Sequence, residues 1–127
     1  MHILEVVGRI FLSTLFLING ISKITYYEGT LEYMESFNVP EYLLIPAIIV
    51  EILFPILLII GYKTKLSAVI LASFTILLAV IFHTEFSNPM QLTAFLKNFA
   101  IAGGFIIIFV YGPGQYSIDH MLESRQK

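Results

Sequence analysis

The sequence predicts an all-α integral membrane protein: an antiparallel four-helix bundle with a short outer interfacial helix between the first two spans. Three observations carry this. Of 127 residues, 57% are hydrophobic and 13% charged, against roughly 45–50% and about 25% in an ordinary soluble domain. The apolar residues gather in four runs near bilayer-spanning length, which is about 20 residues. The connections are short, and lipid cannot satisfy open backbone groups, so the runs must be helices with antiparallel neighbours. The length suits a single domain, 1–127.

The first span covers about 3–25. It has the length of a secretory signal, but Glu5 and Arg9 lie inside it, no basic segment precedes it, and no small-x-small cleavage pattern stands near Gly20 and Ser22. A retained helix is expected. Between Tyr26 and Glu41, the residues Glu28, Glu32 and Glu35 recur at helical spacing while Leu31, Met34 and Phe37 occupy another face. This is the interfacial helix, read first as a solvated connector and second as a lid over a site between the helices.

The second span covers about 43–61, the third 66–84 and the fourth 92–111, with Lys63, Thr64 and Lys65 as the tight joint between second and third. Gly112, Pro113 and Gly114 end the fourth, and Ser117 is placed to cap a short tail helix carrying Asp119, His120 and Glu123. Lys63, Lys65, Arg125 and Lys127 fall on the side of both termini, and the other side is rich in acids, so the positive-inside rule predicts cytoplasmic termini. Tyrosines near both ends of the spans suit interfacial belts. Small residues on the third and fourth spans, including Ala72, Ala79, Gly103 and Gly104, indicate close helix packing in the first instance.

Several chemistries are excluded or disfavoured. Without cysteine there is no disulfide, thiol relay, iron–sulfur cluster or zinc–thiolate site. A net charge of −2 offers no basic face for nucleic acid. His83 has no second His in the spans, which makes a poor metal or haem site, and no metal is expected.

Ionisable groups within a span cost about 2.5–3.5 kcal/mol each on insertion scales, so each calls for a partner or a purpose. Arg9, Glu51 and Lys97 stand out. Glu51 lies roughly 12 Å into the second span by helical rise, and Pro55, four residues on, returns no N–H to its carbonyl, which predicts a kinked polar notch facing protein or a cavity. Arg9 approaches from the inner side, leaving an axial gap of roughly 9 Å that two long side chains can bridge. An Arg9–Glu51 pair is expected, with Lys97 and Asn98 as alternative partners from above. Lys23 and His83, near span ends, are expected to snorkel or reach the interface. One reading makes these charges interhelical glue. The other makes them a head-group site for a membrane-soluble ligand, with Glu51 as proton donor or acceptor and Arg9, Lys23, His83, Lys97 and Asn98 as binding residues.

In this order and spacing, Gly8-Arg9, Asn19-Gly20 with Lys23, Val39-Pro40, Glu51, Gly61 and Lys65, Asn98 with Gly103-Gly104, and Gly112-Pro113-Gly114-Gln115-Tyr116-Ser117-Ile118-Asp119 resemble the DoxX family of small four-helix membrane proteins. The resemblance implies a bacterial-type inner-membrane protein. Family relatives include a subunit of a thiosulfate:quinone oxidoreductase and accessory proteins of other membrane redox or receptor-assembly systems. On the redox relatives, a quinone is the implied partner, and Arg9, Lys23, Glu51 and Asn98 are the positions carried over. Some relatives are associated with thiol chemistry, which a chain without cysteine cannot perform itself.

Two functions of different class are therefore expected to compete. The first is a quinone-interacting accessory of a membrane redox system; the chain encodes no electron carrier, so it would need a bound cofactor or a partner membrane subunit. The second is a structural or assembly subunit whose charges hold its own bundle and whose surfaces dock a partner protein or a second copy. A proton or solute conduit ranks last, since four helices leave little room and no second mid-membrane carboxyl forms a relay.

Overall fold

A computed structural model describes residues 2–126; Lys127, counted above for orientation, lies outside them. Helix α1 spans His2–Thr25, α2 Tyr27–Ser36, α3 Leu44–Ile60, α4 Thr64–Phe82, α5 Pro89–Tyr111 and α6 Ile118–Gln126, with one 3-10 turn at Glu41–Leu43 leading into α3. Counting that turn with α3, α1, α3, α4 and α5 are long and apolar enough to cross a membrane. The two ends of the bundle are named here by what they carry: the α2 face and the tail face, where α6 sits.

Local chemistry sets the boundaries. α5 starts three residues before the expected Leu92, because Asn88 caps it: its side-chain oxygen accepts the Met90 amide at 3.0 Å, and Pro89 occupies the first turn, where no N–H is needed. α3 runs through Pro55 without interruption and ends at Gly61, whose φ of +76° is the left-handed conformation of a helix C-terminus. Ser117 caps α6 as expected, its hydroxyl accepting the His120 amide at 3.1 Å.

The helices pack as α1 on α3, α3 on α4 and α4 on α5. The apolar core joins Phe16 of α1, Leu58 of α3, Ala68, Leu71 and Ala72 of α4, and Ala102 and Phe105 of α5. The fourth seam, α1 against α5, is not packed along its length. It is pinched at mid-depth, where Phe16 and Phe105 meet edge to face at 5.5 Å and Leu12 lies close over Gly104. Gly104 thus serves packing. Above and below the pinch the seam opens into two cavities, a large one toward α2 and a smaller one toward the tail.

The tail face is tied shut. Arg9, almost fully buried, donates through Nη1 to the carbonyls of Leu58 (3.0 Å) and Ile59 (3.1 Å), and through Nη2 to that of Tyr116. These two α3 carbonyls lie in its last turn, where intrahelical donors run out, so a planar guanidinium completes the helix end. From the tail, Asp119 accepts the amides of Lys63 (2.9 Å) and Thr64 (2.8 Å), capping α4 from another helix, while its own amide donates to the Gly61 carbonyl at 2.8 Å. Burial alone would push the Asp119 carboxyl up. Hydrogen bonds from Thr64 and the Lys63 amide, with the Lys63 charge, outweigh that and hold it below the ordinary carboxylate range.

Candidate functional site

The α2 half of the bundle holds a cavity of about 670 Å³, bounded by α1, α3, α4 and α5 and roofed by α2 and the strand of chain after it. Its chemistry centres on Glu51, whose residue is 1% exposed. By helical rise Glu51 sits roughly 11 Å below Leu44 and about 14 Å above Ile60, the middle of α3. Lys23 Nζ lies 2.9 Å from each carboxylate oxygen, bonded to both.

The expected Arg9–Glu51 pair does not form. The reason is the direction in which helical side chains leave the backbone: Cα–Cβ bonds tilt toward the helix N-terminus. On α1 that tilt sends Lys23 inward toward Glu51 instead of outward to the interface, and sends Arg9 toward the tail, away from Glu51. The bonds of Arg9 to Leu58 and Ile59 lie about 10 Å further along α3 from Glu51 by helical rise. Gly20, one turn below Lys23, makes the close approach of α1 to α3: a Cβ there would come within 2.7 Å of Ile52 Cγ1 and 3.3 Å of Glu51 Cβ.

Five of the six expected site residues line this one cavity: Lys23, Glu51, His83, Lys97 and Asn98. Arg9 does not; it borders the smaller cavity at the tail face. Asn98 donates to the Thr75 carbonyl at 3.3 Å, which levels this part of α5 with the middle of α4. Lys97 is therefore deeper than one turn, roughly 9 Å from the α2 end of α4. His83 ends α4 and its Nδ1 lies 2.9 Å from Gln91 Oε1, at the rim. Among the described residues no group of three or more His, Asp or Glu is placed to hold a metal ion.

The remaining walls are apolar and aromatic, contributed by Phe16, Val50, Phe74, Leu78 and Phe82 among others. The roof was only half legible in the sequence. Met34 is buried, and of the α2 segment Tyr33 stacks on Phe82 of α4 at a ring-centroid distance of 5.3 Å while Phe37 meets Phe82 edge to face at 5.0 Å. The turn beyond α2 folds back over Met34, whose carbonyl accepts both the Phe37 and Val39 amides at 3.0 Å, with Asn38 at a positive φ of 60°. The alternation of Met34 and Phe37 with the glutamates was the available signal for a covering helix. Phe74, Thr75 and Phe82 carried no sequence signal beyond a membrane span.

An apolar cavity with a few converging polar groups is the form of small-molecule sites, whose volumes run about 300–1,000 Å³. This one presents a neutral Lys–Glu pair, one further ammonium and two amides, Asn19 and Asn98, within the spans. Such groups bind acceptor oxygens of a polar head while the walls take an apolar body.

Comparison with known proteins gives a consistent result. The DoxX family model matches residues 4–84. The chain is 39% identical to the inner membrane protein YqjF of Escherichia coli K12, over 94% of this chain and 92% of that protein. It is 33% identical to the inner membrane protein YphA of the same organism, over 92% and 89% respectively. No solved structure matches.

Proposed function

The chain is an inner membrane protein of the DoxX family, and from that premise we propose that it is a ligand-binding accessory subunit whose cavity beneath α2 takes a lipid-soluble molecule with acceptor oxygens in its head group, a quinone in the first instance. The observation that carries this is the cavity itself: about 670 Å³ of apolar wall with Lys23, Glu51, Lys97 and Asn98 on its lining. A quinone ring with the first part of its tail fits this set, since its two carbonyls only accept and Lys23, Lys97 and Asn98 donate. A bound quinone would supply a couple of two electrons and two protons, and the electron donor would belong to a partner subunit.

The chain's own contribution is binding and proton placement. Lys23 Nζ offers a third N–H beyond the two aimed at Glu51. Glu51, with each oxygen held by Lys23, acts as an anchored carboxylate whose remaining lone pairs can take a proton from a ligand. The positive-inside rule supports a tail face in the cytoplasm, with α2 and the cavity mouth toward the opposite side.

The test is titration of the protein in lipid nanodiscs with decylubiquinone, followed by thermal stability and direct binding. Saturable binding that raises the midpoint, and is lost in a cavity-filling Ala47→Trp variant that still folds, is the expected result. Absence of saturable binding, or equal binding by Ala47→Trp, overturns the reading. One observation favours the competing reading: the Lys23–Glu51 bond joins α1 to α3. If Glu51→Gln lowers stability and nothing binds the wild type, the pair is a structural clasp and the chain a bundle-forming subunit.

A further inference from the structure

We infer that the α2-face cavity also takes single-chain amphiphiles with an anionic head group, and that Lys97 is the residue that selects them; this rests on the cavity being a ligand site and goes beyond its neutral quinone-type occupant. The charge count decides it. Glu51 is neutralised by Lys23, which bonds both of its oxygens. Lys97 lines the same cavity and forms no hydrogen bond or ion pair with any described residue. The lining therefore carries one uncompensated positive charge, and among the described residues that line the cavity Glu51 is the sole acid.

Depth makes that charge consequential. Asn98 is bonded to Thr75 in the middle of α4, so its neighbour Lys97 leaves α5 near that level; the exposed side chain tilts back toward the α2 end, which sets its ammonium on the cavity lining within the membrane span. The geometry offers a route to it. α1 and α5 do not pack along this half of their seam, and the pinch at Phe16 and Phe105 closes it only from below. An amphiphile sliding in from the bilayer between α1 and α5 meets Lys97 with its head while its chain stays in hydrocarbon. Asn98 and the Lys23 ammonium stand on the same lining as further donors. The chemistry recognised is a single-chain lipid ending in a negatively charged oxygen group, a carboxylate or a phosphate monoester.

The experiment uses the full-length protein in zwitterionic nanodiscs at pH 8, titrated separately with oleate, oleyl phosphate, oleyl alcohol and decylubiquinone. Oleate or oleyl phosphate, or both, should bind at least tenfold more tightly than oleyl alcohol, and whichever binds identifies the source of the anion. Lys97→Gln should abolish that preference, and Lys97→Arg should restore it; thermal midpoints of both variants establish folding. If the anions bind no better than the alcohol, or Lys97→Gln retains the preference, Lys97 is not the selector and the inference is overturned, while decylubiquinone binding leaves the cavity reading standing. If no compound binds, both fail together.

Discussion

The Lys23–Glu51 bond can be weighed by a double-mutant cycle with Lys23→Met, Glu51→Gln and the pair. At 2.9 Å and an effective dielectric of about 20, the gross attraction is about 6 kcal/mol. Desolvation offsets most of it, since both groups leave water and the carboxylate is only 1% exposed. Interhelical polar contacts measured within membranes reach about 1.7 kcal/mol at most. A doubly hydrogen-bonded ion pair should lie just above that, at about 2 kcal/mol of coupling. Lys23→Met strands a buried carboxylate and should cost about 3 kcal/mol, the lower end of the range for breaking a buried pair. Glu51→Gln should cost about 2 kcal/mol, less because the Lys23 side chain keeps 25% exposure and can reach water. Additivity would make the double variant about 5 kcal/mol less stable; coupling brings it back to about 3. The assay is reversible unfolding in mixed micelles with rising dodecyl sulfate. Costs that add to within about 0.5 kcal/mol would refute the argument, because independent sites behave that way.

Gly61→Ala places a Cβ at φ +76°, within 2.6 Å of Arg9 Nη1 and 2.9 Å of the Ser117 backbone; it should cost at least about 1–2 kcal/mol from the left-handed conformation alone, and hydrogen exchange at the Thr64 and Asp119 amides should speed up. Arg9→Lys keeps a charge but loses the fork that reaches three carbonyls, so stability should fall by about 2 kcal/mol, with the same amides exposed. Asp119 has a folded pKa below its unfolded value of about 3.9. Its contribution is therefore fully present above pH 4 or so and lost as pH falls through the lower folded value. Asp119→Asn should remove that acid-side loss of Thr64 amide protection; an unchanged pH profile would disprove it.

Much of the topology was legible because it follows from hydrophobic run length, and because Gly61 and Ser117 are local signals that act where they stand; the Asn88-Pro89 cap, equally local, moves the start of α5 ahead of the apolar run. The site was legible as a set of residues but not as a set of bonds. Arg9 and Lys23 share one stripe of α1, and spacing alone makes either a partner for Glu51. What decides is the tilt of helical side chains toward the N-terminus, which carries Lys23 into the bundle and Arg9 to the exhausted carbonyls of α3. That rule was available from sequence once the helix direction was known. The open α1–α5 seam was not, because it depends on the sizes of Phe16, Leu12 and Phe105 meeting at one level, a relation between helices that no single span encodes.

The two ends of the bundle use their charges differently, and this bears on where function resides. At the tail face Arg9 is consumed by three carbonyls, and Asp119 by two amides of the α4 start. Each of these groups completes a helix end, and moving any one of them leaves backbone groups unsatisfied. At the α2 face Glu51 and Lys23 satisfy one another, while Lys97 is left over beside a cavity that apolar packing does not fill. A chain selected only for a stable bundle gains nothing from an unpartnered ammonium on a cavity lining within a membrane span. Its place on the cavity lining, beside an unpacked seam, is what a binding role requires and a purely structural role does not.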